Sequence, residues 1–232
     1  MISPESETIA GELEVIGRFE KEKHGVLIFQ WLLILASLFC AGCHSEIERE
    51  VGRNTSAKAI SALCSPSKLA ALKPGNRAAN QRFRKLMFYV NQADERGVLP
   101  KAYIAQIYGE FKVAPYAGKK HVYAPETERQ NLEAQYRLGK IYGLYTADNL
   151  KLLKRGRSPF ITRGEYQGEK AEVDHLIPVK IAPELECSMA NLGWLPKSVN
   201  RKKSAKFTNA AKRRVKRLQE EVGWKPLLES AF

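Results

Sequence analysis

Apolar residues recur at helical spacing in three segments of the middle of the chain. The first segment, "NRAANQRFRKLMFYVNQADERG", places four apolar residues on one helical face: Phe83, Leu86, Met87 and Val90. "LPKAYIAQIYGEF" predicts a second, shorter helix. "PETERQNLEAQYRLGKIYG" predicts a third, with Pro125 ahead of an acidic first turn. A loop is expected over residues 113–125, so residues 76–157 are predicted to be mostly helical.

The pattern changes in "AEVDHLIPVK", residues 171–180, where an apolar run typical of a buried strand contains Asp174 and His175. Ionisable groups are costly to bury unless they are paired or bind a metal. A second short strand is expected at residues 192–195, and a proline ends it before a helix begins near Ser198. This strand–loop–strand–helix order predicts a compact unit that collects polar side chains at the end of the first strand.

The side chains that this unit brings together suit metal-assisted hydrolysis of a phosphodiester. Asp174 supplies a carboxylate and Asn200 an amide carbonyl, which are the oxygen ligands that a hard divalent cation prefers. His175 is the candidate general base for a water molecule, because histidine exchanges protons near neutral pH. Mg²⁺ is the expected cofactor, with Mn²⁺ or another divalent ion as the alternative. An isolated Asp-His pair would instead indicate a salt bridge at a strand end.

The order D-H, N-L and N-x-x-K, with a proline-broken strand before the last element, resembles the HNH endonuclease motif in its H-N-N form, the ββα-metal finger. "ITRGEY", "IAPEL" and "LPKSVNRKKS" around the motif are similar too. The resemblance implies that Asp174 and Asn200 ligate the metal and that His175 is the general base. It also implies that Asn191 braces the loop holding the His175 ring and that Lys203 contacts phosphate or supports the site. The expected products carry a 5′-phosphate and a 3′-hydroxyl.

The resemblance covers about residues 158–210 and does not extend to the helical region before them. Many relatives frame the finger with two C-x-x-C zinc pairs, which this segment lacks. Packing must therefore hold the finger together.

The charge supports a polyanionic partner. The formal net charge is +13, and much of the excess lies in "NRKKSAKFTNAAKRRVKRLQ", which favours nucleic acid or an anionic membrane surface. One basic helix is expected to span residues 201–217. The candidate nucleic-acid-binding residues are Arg163, Arg201, Lys202, Lys203, Lys206, Arg213 and Arg214.

The segment "GVLIFQWLLILASLFCAGC", residues 25–43, is apolar and lies at the lower edge of the length that spans a bilayer. Its end resembles a bacterial lipoprotein signal, which implies lipidation of Cys43. A signal-anchor helix and a buried core helix remain alternatives. The protein is accordingly expected in the bacterial cell envelope or secreted, on the periplasmic face, and anchored by lipid or by the helix.

Other conspicuous residues are expected to be structural. The remaining histidines, His24, His44 and His121, are expected to be solvated, and Glu172 to face solvent from its strand. Trp194 and Trp224 fit the core. Cys64 and Cys187 form either one disulfide in an oxidising compartment or two independent thiols.

These observations predict an α+β fold with a mostly helical first half, a ββα finger and a basic C-terminal helix. The expected parts are a signal or anchor at 1–43, a tether at 44–75, a helical region at 76–157 and the nuclease domain at 158–232. The expected function is a metal-dependent endonuclease acting on DNA, with RNA as the alternative substrate. A non-catalytic envelope protein that binds nucleic acid or anionic lipid is the rival. A narrower alternative is an antibacterial toxin whose partner is an immunity protein.

Overall fold

The computed structural model describes residues 55–75, 77–203 and 206–226, which belong to one compact unit. The expected signal or anchor, the lipidation of Cys43, and His24 and His44 lie outside the described residues. Within the part of the chain that is described, no helix is both long enough and apolar enough to cross a membrane.

The described chain combines helices with two small antiparallel sheets, which confirms the expected α+β class. The helices are α1 (55–64), α2 (Pro66–Ala70), α3 (Ala78–Glu95), α4 (Pro100–Glu110), α5 (Pro125–Ile141), α6 (Ala147–Lys154), α7 (Lys197–Lys203) and α8 (Asn209–Val222). The strands are β1 (Tyr116–Ala117), β2 (Val122–Tyr123), β3 (Ala171–His175) and β4 (Leu192–Pro196). β1 pairs with β2 and β3 with β4, and short 3-10 helices at Pro183–Leu185 and Met189–Asn191 lie between β3 and β4.

The three helices predicted from apolar spacing are confirmed as α3, α4 and α5. Helix α6 was not predicted, because its basic and glycine-rich surroundings resemble a loop. The Thr146 hydroxyl accepts the Asn149 backbone N–H and so caps α6. The Asn149 side chain bonds both the N–H and the C=O of Phe160, which ties α6 to the segment that leads into β3.

The expected tether at 44–75 is wrong for its described part, because residues 55–75 contain α1 and α2. Ile60 and Cys64, one helical turn apart, are fully buried, and so is Leu69. These three side chains join the main core, and burial of apolar surface explains why a polar segment folds. Cys64 and Cys187 are both free thiols.

One core runs from the helical region into the β3–β4 sheet. Trp194 of β4 is 2 % exposed and meets the ring of Phe83 edge-to-face, with ring centroids 5.3 Å apart. The Asn80 amide of α3 donates to the carbonyl of Val173 at 3.0 Å. The described parts of regions 76–157 and 158–232 therefore share a core. Trp194 lies in this core and Trp224 in a second buried cluster, so the buried positions expected for both are confirmed.

Two sequence expectations outside the sheet are wrong. The predicted single basic helix over 201–217 is two helices, because α7 ends at Lys203 and Thr208 caps a new helix by accepting the Ala211 N–H at 3.2 Å. His121 is 3 % exposed rather than solvated, and its ring packs against Tyr116. Burial lowers the pKa of His121 to about 4, so the ring is neutral near neutral pH.

Candidate active site

Strands β3 and β4 and helix α7 follow one another as a single unit. In the antiparallel register Asp174 lies opposite Gly193, and His175 lies opposite Leu192. Helix α7 begins directly after β4. The Glu169 carboxylate accepts the backbone N–H of Ser198 at 2.9 Å and its hydroxyl at 2.8 Å, which fixes the start of α7 next to the sheet.

Asp174 faces α7, and its carboxylate is matched by Lys203. The Lys203 ammonium lies 2.5 Å from Asp174 Oδ2 and also donates to the carbonyl oxygen of His175 at 2.7 Å. The side chain of Lys203 is 10 % exposed and that of Asp174 is 24 % exposed. The carboxylate thus remains partly accessible while a positive charge is held against one of its oxygens.

Glu172 lies on the same face of β3 as Asp174, because alternate residues of a strand share a face. The Asn200 amide nitrogen donates to Glu172 Oε2 at 2.8 Å. The expectation that Glu172 faces solvent is therefore wrong: it is half-buried against α7. A carboxylate only accepts hydrogen bonds, so this contact directs the Asn200 nitrogen toward Glu172 and leaves the amide oxygen as the end that can ligate.

His175 projects to the opposite side of the strand from Asp174, toward the loop between β3 and β4. Its Nε2 lies 3.0 Å from the carbonyl oxygen of Glu186. Because a carbonyl cannot donate, Nε2 must carry the proton, and Nδ1 is left as the basic nitrogen. The Glu186 side chain in turn accepts the Gly75 N–H at 2.6 Å, so the loop that orients the ring is itself tied to the segment before α3.

Asn191 is fully buried and braces the turn that follows His175. Its side-chain oxygen accepts the Ile177 N–H at 2.7 Å, and its amide nitrogen donates to the Ile177 carbonyl at 2.9 Å. Its own carbonyl accepts the Leu176 N–H at 2.8 Å. These bonds occupy both ends of the amide, so Asn191 acts by holding the chain next to His175 rather than by touching a substrate.

Helix α5 supports the unit of β3, β4 and α7 through polar side chains that were not predicted from the sequence. The Asn131 amide donates to the carbonyls of Met189 and Leu192, both at 2.7 Å. Gln135, one turn later, accepts the Trp194 N–H at 2.8 Å. The i, i+4 spacing of Asn131 and Gln135 placed them on one helix face, which was the available signal.

Glu128 lies one turn before Asn131 and is fully buried. Its carboxyl accepts the hydroxyl of Tyr108 at 2.9 Å and that of Ser188 at 3.1 Å. Ser188 also caps the 3-10 helix that contains Asn191 by accepting the Ala190 N–H at 3.3 Å. Burial raises the pKa of Glu128 to about 8, against the lowering effect of the two hydroxyls.

The expected nucleic-acid-binding residues do not form one uniform surface. Lys203 is half-buried and pairs with Asp174, as described above. Arg214 is buried, and its guanidinium donates to the Thr127 carbonyl at 3.3 Å and to Asn131 Oδ1 at 2.8 Å. The remaining candidates are exposed: Arg163, Arg201, Lys202, Lys206 and Arg213.

The residues around Asp174 fit a hard divalent cation held by few protein groups. Asp174 offers a partly exposed carboxylate and Asn200 an oriented amide oxygen, the ligand types that Mg²⁺ takes together with water. A cage of protein ligands does not fit, because among residues 55–75, 77–203 and 206–226 no group of three or more His, Cys, Asp or Glu residues could hold an ion.

No protein-family model, curated protein or solved structure matches this chain.

Proposed function

We propose that this chain is a divalent-metal-dependent endonuclease of the HNH type that hydrolyses phosphodiester bonds in DNA, with RNA as the alternative substrate. The observation that carries the proposal is the orientation of His175 at the end of β3. Its Nε2 is held by the Glu186 carbonyl, and the neighbouring residue Asp174 offers a partly exposed carboxylate. His175 thus supplies a base with a defined proton-accepting nitrogen, and the residue before it in the chain supplies an anionic oxygen ligand, the two groups that metal-assisted hydrolysis of this kind uses.

His175 removes the proton from the attacking water through Nδ1. The Glu186 carbonyl orients the ring for this step because it accepts a hydrogen bond from Nε2, which leaves Nδ1 as the nitrogen that can take the proton. Asn191 keeps the ring in position by holding Ile177, two residues along the chain. Positioned general bases contribute roughly 10²- to 10⁴-fold in rate.

Asp174 and Asn200 would hold the metal ion, with Mg²⁺ as the expected ion and Mn²⁺ or another divalent ion as the alternative. When bound, the ion supplies positive charge that offsets the charge developing on the scissile phosphate and the leaving oxygen. Glu172 orients Asn200 for this role through its 2.8 Å hydrogen bond. Lys203 supplies a further positive charge next to Asp174.

We place the nuclease at the bacterial cell envelope, anchored through the N-terminal segment. Export keeps a nuclease of low sequence specificity away from the chromosome of its own cell. Lipidation at Cys43 is tested by labelling growing cells with radioactive palmitate. The wild-type chain should take up the label and Cys43→Ser should not, whereas a signal-anchor helix would leave both unlabelled.

A non-catalytic protein that binds nucleic acid or anionic lipid is the second candidate. It is favoured by one observation, the exposed basic side chains on α7 and α8, which need no catalytic centre to bind a polyanion. Under this alternative, replacing His175 would change the affinity for a polyanion little, and there would be no cleavage activity to lose.

The deciding experiment is a plasmid-nicking assay on the full chain, purified in mild detergent with a chelator and then supplied with Mg²⁺ or Mn²⁺. The wild type should nick supercoiled DNA only with metal, and His175→Ala should lower the rate at least about 10²-fold while DNA affinity is retained. His121→Phe is the matched control, because His121 is buried and its ring nitrogens have no hydrogen-bond partner among the described residues. DNA binding without cleavage under any divalent ion would refute the proposed endonuclease activity.

A further inference from the structure

A positively charged cavity lies beside the candidate active site. It has a volume of about 190 Å³ and is lined by α5, α8 and Leu176, the residue that follows His175. A single water molecule takes up roughly 30 Å³ in the liquid, so the cavity has room for a small group together with water. The lining residues are Gln135, Leu176, Ala210, Arg213, Arg214 and Arg217. We call this the arginine cavity.

Three guanidinium groups and no carboxylate line the arginine cavity. Arg213 and Arg217 are four residues apart on α8, and Arg214 and Arg217 are three apart, spacings at which like charges repel and destabilise a helix. Within the described chain, no carboxylate forms an ion pair with any of the three. The repulsion is therefore not offset by direct pairing inside this part of the protein.

Arg214 is fixed before any ligand arrives. Two of its N–H groups donate to Thr127 and Asn131, so its position is set by the same helix that supports Asn191 and β4. Arg213 and Arg217 are exposed. Arg217 also donates to Gln130 Oε1 at 3.0 Å. One buried and two exposed guanidinium groups around a cavity suit a phosphate group, which accepts several N–H donors at once.

A neighbouring cavity on the same two helices shows that the charge is local. It is larger, about 340 Å³, and shares Arg217, but it is also lined by three carboxylates: Glu126, Glu220 and Glu221. The carboxylates of this cavity disfavour an anion, whereas the arginine cavity has no carboxylate in its lining, although the two lie on adjacent stretches of α5 and α8.

We propose that the arginine cavity binds a backbone phosphate of the DNA strand next to the bond that is cut, and so sets which phosphodiester reaches His175. The position of this phosphate next to the bond that is cut rests on the proposed nuclease function. The binding itself depends only on the cavity, its charge and its place beside Leu176.

The test measures DNA affinity without metal, using the full chain in mild detergent and a fluorescently labelled duplex. The variant is Arg213→Gln/Arg217→Gln, which keeps the buried Arg214. The matched control is Lys212→Gln/Lys216→Gln, which removes the same charge from exposed positions of the same helix that do not line the cavity. The dissociation constant is measured from low to physiological salt.

The arginine variant should bind DNA about tenfold more weakly than the wild type, and its salt slope should fall by roughly 0.9 for each lost phosphate contact. The lysine control should change affinity less than about threefold. Equal losses in the two variants would show a diffuse positive surface and overturn the proposal. Vesicles that contain phosphatidylserine provide the second ligand: if only vesicle binding depends on Arg213 and Arg217, the site takes a lipid headgroup instead.

The plasmid-nicking assay separates this proposal from the proposed function. If the wild type never cuts but the arginine variant still loses DNA affinity selectively, the nuclease fails and the phosphate site stands. If the wild type cuts and the arginine variant cuts with unchanged KM and unchanged product pattern, the nuclease stands and the phosphate site fails.

Discussion

The β3–β4–α7 unit and helix α5 each carry a row of polar side chains, and the two rows differ in what their atoms are bonded to. Asp174 and His175 are half-exposed. Oδ2 of Asp174 accepts a hydrogen bond from Lys203, and Nε2 of His175 donates one to the Glu186 carbonyl. Asn131 and Glu128 on α5 are buried, with hydrogen bonds to both sides of the amide or carboxyl group. Polar groups of the first kind can take a ligand, and those of the second kind hold a structure.

This difference separates two demands that a nuclease site makes. A reacting group needs a vacant lone pair and access to solvent, which costs little stability because the group stays partly hydrated. A supporting group must be fully satisfied, because a buried polar atom without a partner costs about 1–3 kcal/mol. We therefore expect substitutions in the unit to change chemistry and substitutions in α5 to change stability.

The largest effect is expected from Asn131→Ala. This change leaves the carbonyls of Met189 and Leu192 and one N–H of Arg214 without their partner. At about 1–3 kcal/mol for each unsatisfied group, the free energy of unfolding should fall by several kcal/mol. Urea unfolding followed by circular dichroism measures the change.

His175→Ala is the comparison for that measurement. It removes one hydrogen bond to the half-buried Glu186 carbonyl, so the free energy of unfolding should fall by about 1 kcal/mol or less. An equal or larger loss in His175→Ala than in Asn131→Ala would contradict the division between the two rows.

The next largest effect is the pH dependence that Glu128 gives to the free energy of unfolding. The folded protein keeps a proton on this carboxyl up to a pKa of about 8, whereas the unfolded chain releases it near 4.5. Glu128 therefore contributes full stability below pH 4.5, and this contribution is lost as the pH rises from 4.5 to 8. The slope is at most about 1.4 kcal/mol per pH unit.

Glu128→Gln should remove that slope, because an amide does not titrate and can still bond the hydroxyls of Tyr108 and Ser188. Melting temperatures of the two proteins from pH 5 to 8 measure the difference. Parallel curves for the variant and the wild type would show that Glu128 is not the group responsible.

The smallest effect is expected from Lys203→Met, which acts on the unit rather than on α5. The Lys203 ammonium lies 2.5 Å from Asp174 Oδ2, where it would compete with a metal ion for the carboxylate. Its removal should tighten Mn²⁺ binding about tenfold, or roughly 1.4 kcal/mol, as measured by isothermal titration calorimetry. Lys202→Met removes the same charge from an exposed neighbour and should change the affinity much less. Weaker binding in Lys203→Met would show that the lysine supports the site instead.

The placement of β3, β4 and α7 could be predicted from the sequence because the evidence is local. Asp174 and His175 end an apolar run, a proline ends the second strand, and Asn200 falls one turn into the following helix. The helices α3 and α5 were predictable for the same reason, since apolar residues at helical spacing need only a neighbouring surface to bury.

The partners of the supporting side chains could not be predicted, because they depend on tertiary packing, although the spacing of Asn131 and Gln135 places both on one face of α5. Asn131 and Gln135 lie beside the apolar stripe of α5, and the sequence does not reveal how far the buried face extends around the helix. Arg214 belongs to a run of basic residues whose pattern indicates a solvated surface, yet α8 packs on α5 and buries it. The role of the Glu186 carbonyl has no signature in the sequence, because every residue has a backbone carbonyl.

The carbonyl of Glu186 that orients the His175 ring comes from the main chain, so no substitution at that position removes the acceptor. What keeps the oxygen 3.0 Å from Nε2 is the number of residues between β3 and β4 and the path that they follow. A one-residue deletion or insertion in this connection would shift the oxygen away from the ring, whereas many side chains at position 186 would leave it in place. The length of the loop, rather than the identity of its side chains, therefore determines whether this contact with His175 is kept.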